Sequence, residues 1–552
     1  MVGWDLTPGL NLFVLYLHIY KIYLLLLSRY KLYLNFGATL LWRENTIMPE
    51  KYWPETVILW GAGATQKLGL HATKELIKLI LDISNNDFSF LKDKDKKLAD
   101  AFKKLVTVDL IRDPMLSRIY DLKALNTIIG TNNKFNMHDL FTMLDQLIEN
   151  DMGFNAFCDG RTQFLRVERV KAAKRCLILL IEELERLSVQ KTPGYVDREK
   201  IEPYYEFAKI LTELMIEEAR AFESRGYKRD TRRFYLYSYA IISFNWDPLI
   251  LWNIFNVHKE ENKKPVCLND GLELQLYDDF GTKVASSYLD GDESEIWYTS
   301  DESQCRSINN YNYPSRIARI GKVLFPHGMF GSRVCPECGK SIITFEEKWD
   351  RLSTEIFGPS ILQDLQSNWT YKTYKENKYK KGAIECPYCG QITYPYDMTL
   401  IIQSLSKQKN VAALEELKTE MGLLMKNAKH IIFAGYSLPV DDIMVKTFFM
   451  SSISGNDKNK LKCTVINYDE KYKGEDWLTG QNIYKYMRRS KNHSVVECIR
   501  NVLDMFSEKN IRVCLKGIPE VFMKDGKVSK KKVVEILYPK DYFREGFPIK
   551  RD

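Results

Sequence analysis

Thr56-Val57-Ile58-Leu59-Trp60-Gly61-Ala62-Gly63-Ala64-Thr65 is the stretch on which the reading of this chain turns. Its first half is a short, mostly apolar run that predicts a buried strand, and its second half is a Gly-x-Gly turn. The segment after it carries Leu76, Ile77, Leu79 and Ile80 at helical spacing. Strand, glycine turn and helix start together form the geometry that lays a diphosphate against backbone N–H groups. The third glycine of the full dinucleotide fingerprint is absent, so a tight turn without a ligand also accounts for the stretch.

Further along, four more apolar runs share its character. Tyr235–Phe244 ends in Asn245-Trp246-Asp247, and Lys322–Phe325 ends in Pro326-His327-Gly328. His430–Ala434 runs into Gly435-Tyr436-Ser437, and Cys463–Ile466 into Asn467-Tyr468-Asp469. Helical stripes separate several of them: Leu177, Leu180, Ile181 and Leu184 in one, Phe207, Ile210, Leu211 and Leu214 in another. Short aliphatic strands alternating with helices predict an α/β fold, a Rossmann-like parallel sheet with flanking helices. Such sheets bind ligands outside the carboxyl ends of their strands. Gly61, Asn245, His327, Gly435 and Asn467 are then expected to converge on one crevice; five unrelated turns are the bland alternative. His71, His138, His258 and His493 lack that context and read as ordinary histidines.

With 552 residues, 45% hydrophobic and 28% charged, the chain is that of an ordinary globular protein of several domains. A formal charge of +8 is small for this length and gives no strong nucleic-acid signal. Four of the 11 cysteines form two matching turns, Cys335-Pro-Glu-Cys338-Gly339 and Cys386-Pro-Tyr-Cys389-Gly390. Two Cys-x-x-Cys pairs supply the four thiolates of a closed, structural Zn²⁺ site, and an odd, scattered remainder argues for a reducing, cytoplasmic setting. Residues 1–47 hold an interrupted apolar run, Leu10–Leu27, of borderline length for a membrane span. They read as a start-site artefact before Met48 or a dispensable extension, with a membrane anchor as the alternative. The expected organisation is a catalytic domain over 48–515 and a tail over 516–552. The domain is interrupted by a helical insertion over 85–232, an irregular or β insertion over 259–320 and a zinc-ribbon module over 333–397.

The order of these motifs resembles the sirtuin family. The family's Gly-Ala-Gly-x-Ser appears as Gly61-Ala62-Gly63-Ala64-Thr65, and its Gln-Asn-x-Asp as Phe244-Asn245-Trp246-Asp247. Its His-Gly appears as His327-Gly328, its Gly-Thr-Ser as Gly435-Tyr436-Ser437, and its Ile-Asn as Ile466-Asn467. The resemblance implies that Gly61, Ala62, Gly63 and Thr65 hold the diphosphate of NAD⁺, while Gly435, Ser437 and Asn467 hold its adenosine. It implies catalytic roles for Asn245 and Asp247 at the nicotinamide ribose and for His327 as a base. Phe244 in place of the family's Gln, the missing Asp-Phe-Arg segment and the large insertions are departures. They are similar to the sirtuin-like NADases of bacterial antiphage defence, in which water is the acceptor. The expectation is therefore an NAD⁺ hydrolase that works by NAD⁺ depletion, with a protein trigger, a partner subunit or a homo-oligomer as its partners. An NAD-dependent lysine deacylase and a catalytically silent NAD or ADP-ribose sensor remain open alternatives.

Overall fold

A computed structural model describes residues 52–538 except 72, 115, 132–135, 159–160, 193, 287–300, 311–315, 346–350, 354–356, 358–383, 395–411, 439–442 and 455–459. The extension 1–47 lies outside the described residues. Eight strands form the central sheet. In chain order they are β1 (Thr56–Trp60), β2 (Leu236–Ser243), β3 (Glu273–Asp279), β4 (Arg316–Leu324), β5 (His430–Ala434), β6 (Lys462–Ile466), β7 (Leu478–Thr479) and β8 (Ile511–Cys514). Across the sheet the order is β7-β8-β6-β5-β1-β2-β4-β3, parallel throughout except for the β7–β8 pair. β1 is therefore central, hydrogen-bonded to β2 on one side and β5 on the other. β2, β4 and β3 lie on one side of β1, and β5, β6, β8 and β7 on the other.

The principal helices are α1 (Thr73–Ser84), α2 (Met137–Glu149), α3 (Val167–Val189), α4 (Arg198–Ser224) and α5 (Leu249–Glu261), then α6 (Ala412–Asn427), α7 (Ile443–Ile453), α8 (Gln481–Arg489), α9 (His493–Met505) and α10 (Lys530–Leu537). Alternation along the strands assigns them to two faces. Val57, Leu59, Ile431, Phe433, Cys463 and Val465 join one buried cluster with Leu424, Phe449, Ile483 and Ile499 of α6, α7, α8 and α9. On the other face Trp60 stacks on Phe207 of α4, with ring centroids 6.1 Å apart, and Phe207 stacks on Phe522 at 4.3 Å. Every residue of β1 is buried because both faces of the sheet are covered. Among the described residues no helix is long and apolar enough to cross a membrane.

Two segments lie differently from the expected organisation. Residues 259–320 supply β3, which pairs along its whole length with β4 and so extends the main sheet. Leu274 and Leu276 are buried in it, a short alternation that gave only a faint signal in sequence. Within 516–552, α10 packs against the sheet. The carbonyl of Leu537 accepts from Thr56 Oγ1 at 3.2 Å and lies 3.1 Å from His430 Nδ1, both buried.

Candidate functional site

The carboxyl ends of β1 and β5 meet so closely that neither tolerates a Cβ. One built on Gly435 would lie 2.1 Å from the Ala64 nitrogen, and one on Gly61 would lie 2.5 Å from Tyr436 Cα. Gly435 also holds φ +64°, a left-handed conformation that favours glycine. The ends are zipped together: Gly61 N–H donates to Ala434 O at 3.0 Å and Gly63 N–H to Gly435 O at 2.9 Å. Gly61 and Gly63 thus spend their N–H groups on the neighbouring strand, and Gly63 and Gly435 line a cleft above this junction.

That cleft has a volume of about 780 Å³. Ala62, Gly63, Asn245, His327, Gly435, Ser437 and Asn467 all line it, as expected for residues that follow parallel strands. Gly61, Thr65 and Asp247 do not; Thr65 is 1% exposed and Asp247 6% exposed, beneath Asn245. Asn245 Nδ2 donates to Asp247 Oδ2 at 2.9 Å and to Thr65 Oγ1 at 3.0 Å. The Thr65 hydroxyl donates to Asp247 Oδ2 at 3.1 Å, and Leu249 N–H donates to Asp247 Oδ1 at 3.2 Å. A carboxylate only accepts, so the amide nitrogen of Asn245 must face it, and the carbonyl Oδ1 is left for the cleft. Burial pushes the Asp247 carboxyl up to about 6, against which the hydrogen bonds from Leu249, Thr65 and Asn245 pull it down.

His327 is 6% exposed, with its ring edge-on to Phe244 at a centroid distance of 5.2 Å. Phe244 stacks on Tyr436 at 4.4 Å and 14° and meets Phe449 edge-on at 5.8 Å. An aromatic wall therefore stands beside His327.

The cleft also takes residues that the sequence did not flag. Leu70, His71, Thr73 and Ile77 line it from the loop and helix after the glycine turn, and Asn136, Met137 and His138 from the start of α2. Burial lowers the His71 pKa. Its backbone N–H donates to Glu185 Oε2 at 3.1 Å and to Oε1 at 3.3 Å. Neither histidine follows a strand, so no local pattern marked it.

The four knuckle cysteines come together away from the cleft. Their sulfurs lie within 4.8 Å of one another, with Cys335 Sγ 3.5 Å from Cys389 Sγ and Cys338 Sγ 3.7 Å from Cys386 Sγ. Four sulfurs about 2.3 Å from a tetrahedral Zn²⁺ would stand about 3.8 Å apart, so this cluster could hold one such ion. The two turns repeat one another: Gly339 N–H donates to Cys335 O at 2.9 Å and Gly390 N–H to Cys386 O at 2.8 Å. Both glycines have positive φ, 66° and 78°.

Compared with known protein families and with curated protein sequences, the chain matches none.

Proposed function

We propose that this protein has a Rossmann-like nucleotide-binding core and hydrolyses NAD⁺ to nicotinamide and ADP-ribose. The observation that carries the reading is the convergence of Asn245, His327, Gly63, Gly435, Ser437 and Asn467, drawn from five separate strand ends, on one cleft at the carboxyl ends of β1 and β5. Its 780 Å³ is in the range of sites for molecules of this class. The reaction breaks the bond between the nicotinamide nitrogen and C1′ of the ribose. The pyridinium leaves as neutral nicotinamide, so no general acid is required. Positive charge develops on the ribose, and a water takes the vacated face.

Asn245 suits this chemistry because its amide orientation is fixed by Asp247 and Thr65 before any ligand arrives. The free Oδ1 is a preorganised acceptor for a water or for the developing charge. His327 stands at the same cleft as the base for the water or a ribose hydroxyl. The Phe244 ring favours a water acceptor over a peptide, since it offers no hydrogen bond to an incoming amide. Cys335, Cys338, Cys386 and Cys389 hold one structural Zn²⁺ that braces the adjoining hairpins and leaves no open coordination position.

The test is nicotinamide release by the purified chain, with and without an acetylated lysine peptide, or NAD⁺ loss in cells after induced expression. Asn245→Ala is expected to keep ADP-ribose binding and lose about 10²-fold or more in turnover, the scale for a positioned catalytic group. His327→Ala should behave alike. Peptide deacetylation by the parent without NAD⁺ hydrolysis would replace this reading with a deacylase, and ligand binding without turnover would replace it with a sensor.

A further inference from the structure

The loop after the glycine turn, Gly69–His71, lends Leu70 and His71 to the wall of the cleft, and the helical insertion grips it from behind at several points. Glu185 of α3, 5% exposed, accepts the His71 N–H through both carboxylate oxygens, at 3.1 and 3.3 Å. Gly69 has φ +101°, and a Cβ there would meet the Ser188 carbonyl at 3.1 Å, so the loop is pressed onto the last turn of α3. That helix end is itself capped, because Lys94 Nζ donates to the carbonyls of Leu187 and Ser188 at 2.9 and 3.2 Å. From α4, the buried Tyr204 hydroxyl donates to the Ala64 carbonyl at 2.8 Å, fixing the start of the same connection.

A carboxylate is an expensive group to bury for packing alone. Glu185 is desolvated and lies near the equally buried Asp247, and both effects push its pKa well up. Its only backbone partner among the described contacts is the N–H of a cleft-lining residue. A loop left to order itself on binding would draw on the binding energy of each ligand.

We infer that α3 and α4 act as a rigid backing that holds Gly69–His71 in its ligand-ready position, with Glu185 as the positioning residue. The insertion is thus part of the binding site. The loop geometry stands independently of what the cleft binds; the ligand effect rests on the NAD⁺ reading above.

The experiment is hydrogen–deuterium exchange of the full chain, read over the peptide spanning residues 66–72, in the parent and in Glu185→Ala, Glu185→Asp and Glu185→Gln. Peptides from β1 in the same digest report whether each variant is folded. Ala removes the acceptor and Asp withdraws it by one methylene, so both should raise exchange in this peptide about tenfold or more, the scale of leaving a buried backbone N–H unpaired. Gln keeps an acceptor oxygen at the same reach and should stay close to the parent. Should Ala unfold the chain, the Asp and Gln pair carries the comparison. Unchanged exchange in Asp and Ala overturns the backing. ADP-ribose titration then reads the second half: affinity should fall about tenfold in Asp and recover in Gln, in proportion to the loop's opening. A loosened loop with unchanged affinity overturns Glu185 as a positioning residue. If the parent itself binds no ADP-ribose, the NAD⁺ reading falls, and the exchange pattern alone decides the backing.

Discussion

Asp247→Asn should separate stability from function, because the charge that orients Asn245 is buried at a cost. Burial raises the Asp247 pKa from 3.8 to about 6, roughly two units, each worth about 1.36 kcal/mol. The folded protein therefore holds this proton more tightly than the unfolded chain does. The stability it contributes is complete below the unfolded value and is lost as pH rises through about 6. Between pH 8 and pH 5 the parent should gain about 1.4 kcal/mol from Asp247, a gain that Asp247→Asn cannot make. Groups common to both proteins cancel when the two are compared. Urea unfolding followed by tryptophan fluorescence at several pH values gives that difference, and a Glu185→Gln background removes the neighbouring acid that feels Asp247. Activity should run the opposite way. NAD⁺ hydrolysis should rise with pH through about 6 as the carboxylate forms and fixes the Asn245 amide, and the Asn variant should be low at every pH. A stability difference that stays flat from pH 8 to pH 5 would refute the assignment of Asp247 as a charge buried at neutral pH.

Chain purified in reductant should contain about one zinc per molecule, and Cys386→Ser should lose the metal and lower the melting temperature; less than about half an equivalent by metal analysis rejects the site. Gly435→Ala should destabilise by about 1–2 kcal/mol from its left-handed backbone alone, and by more because the new Cβ would lie 2.1 Å from the Ala64 nitrogen. An unchanged melting temperature would show that the β1 and β5 ends are not in contact. Phe244→Ala removes a buried ring stacked on Tyr436 and should cost about 3 kcal/mol in denaturant unfolding, whereas Phe244→Leu should cost less than half of that. Equal losses would mean that ring stacking, more than filled volume, holds this wall in place.

Much of the sheet was written locally. The five apolar runs of the sequence end where the residues that line the cleft begin, because a strand buried on both faces must be continuously aliphatic and its ligand-facing end must not be. The four-cysteine cluster was equally legible, since each Cys-Pro-x-Cys-Gly turn closes on itself through its own backbone. What sequence could not decide depends on partners far away in the chain. Lys94 lies among the charged residues Lys92–Lys97, with nothing local to mark it, yet it caps α3 at the carbonyls of Leu187 and Ser188. On α3, Glu182, Glu183, Glu185 and Arg186 look like an exposed face and are buried, paired partly with one another and, through Glu185, with His71. Thr65 and Asp247 were expected at the ligand, and the fold sets them one layer behind, as the acceptors that aim Asn245. Periodicity records which face of an element is apolar; it does not record which charges another element will desolvate, and only the packed structure brings those groups together.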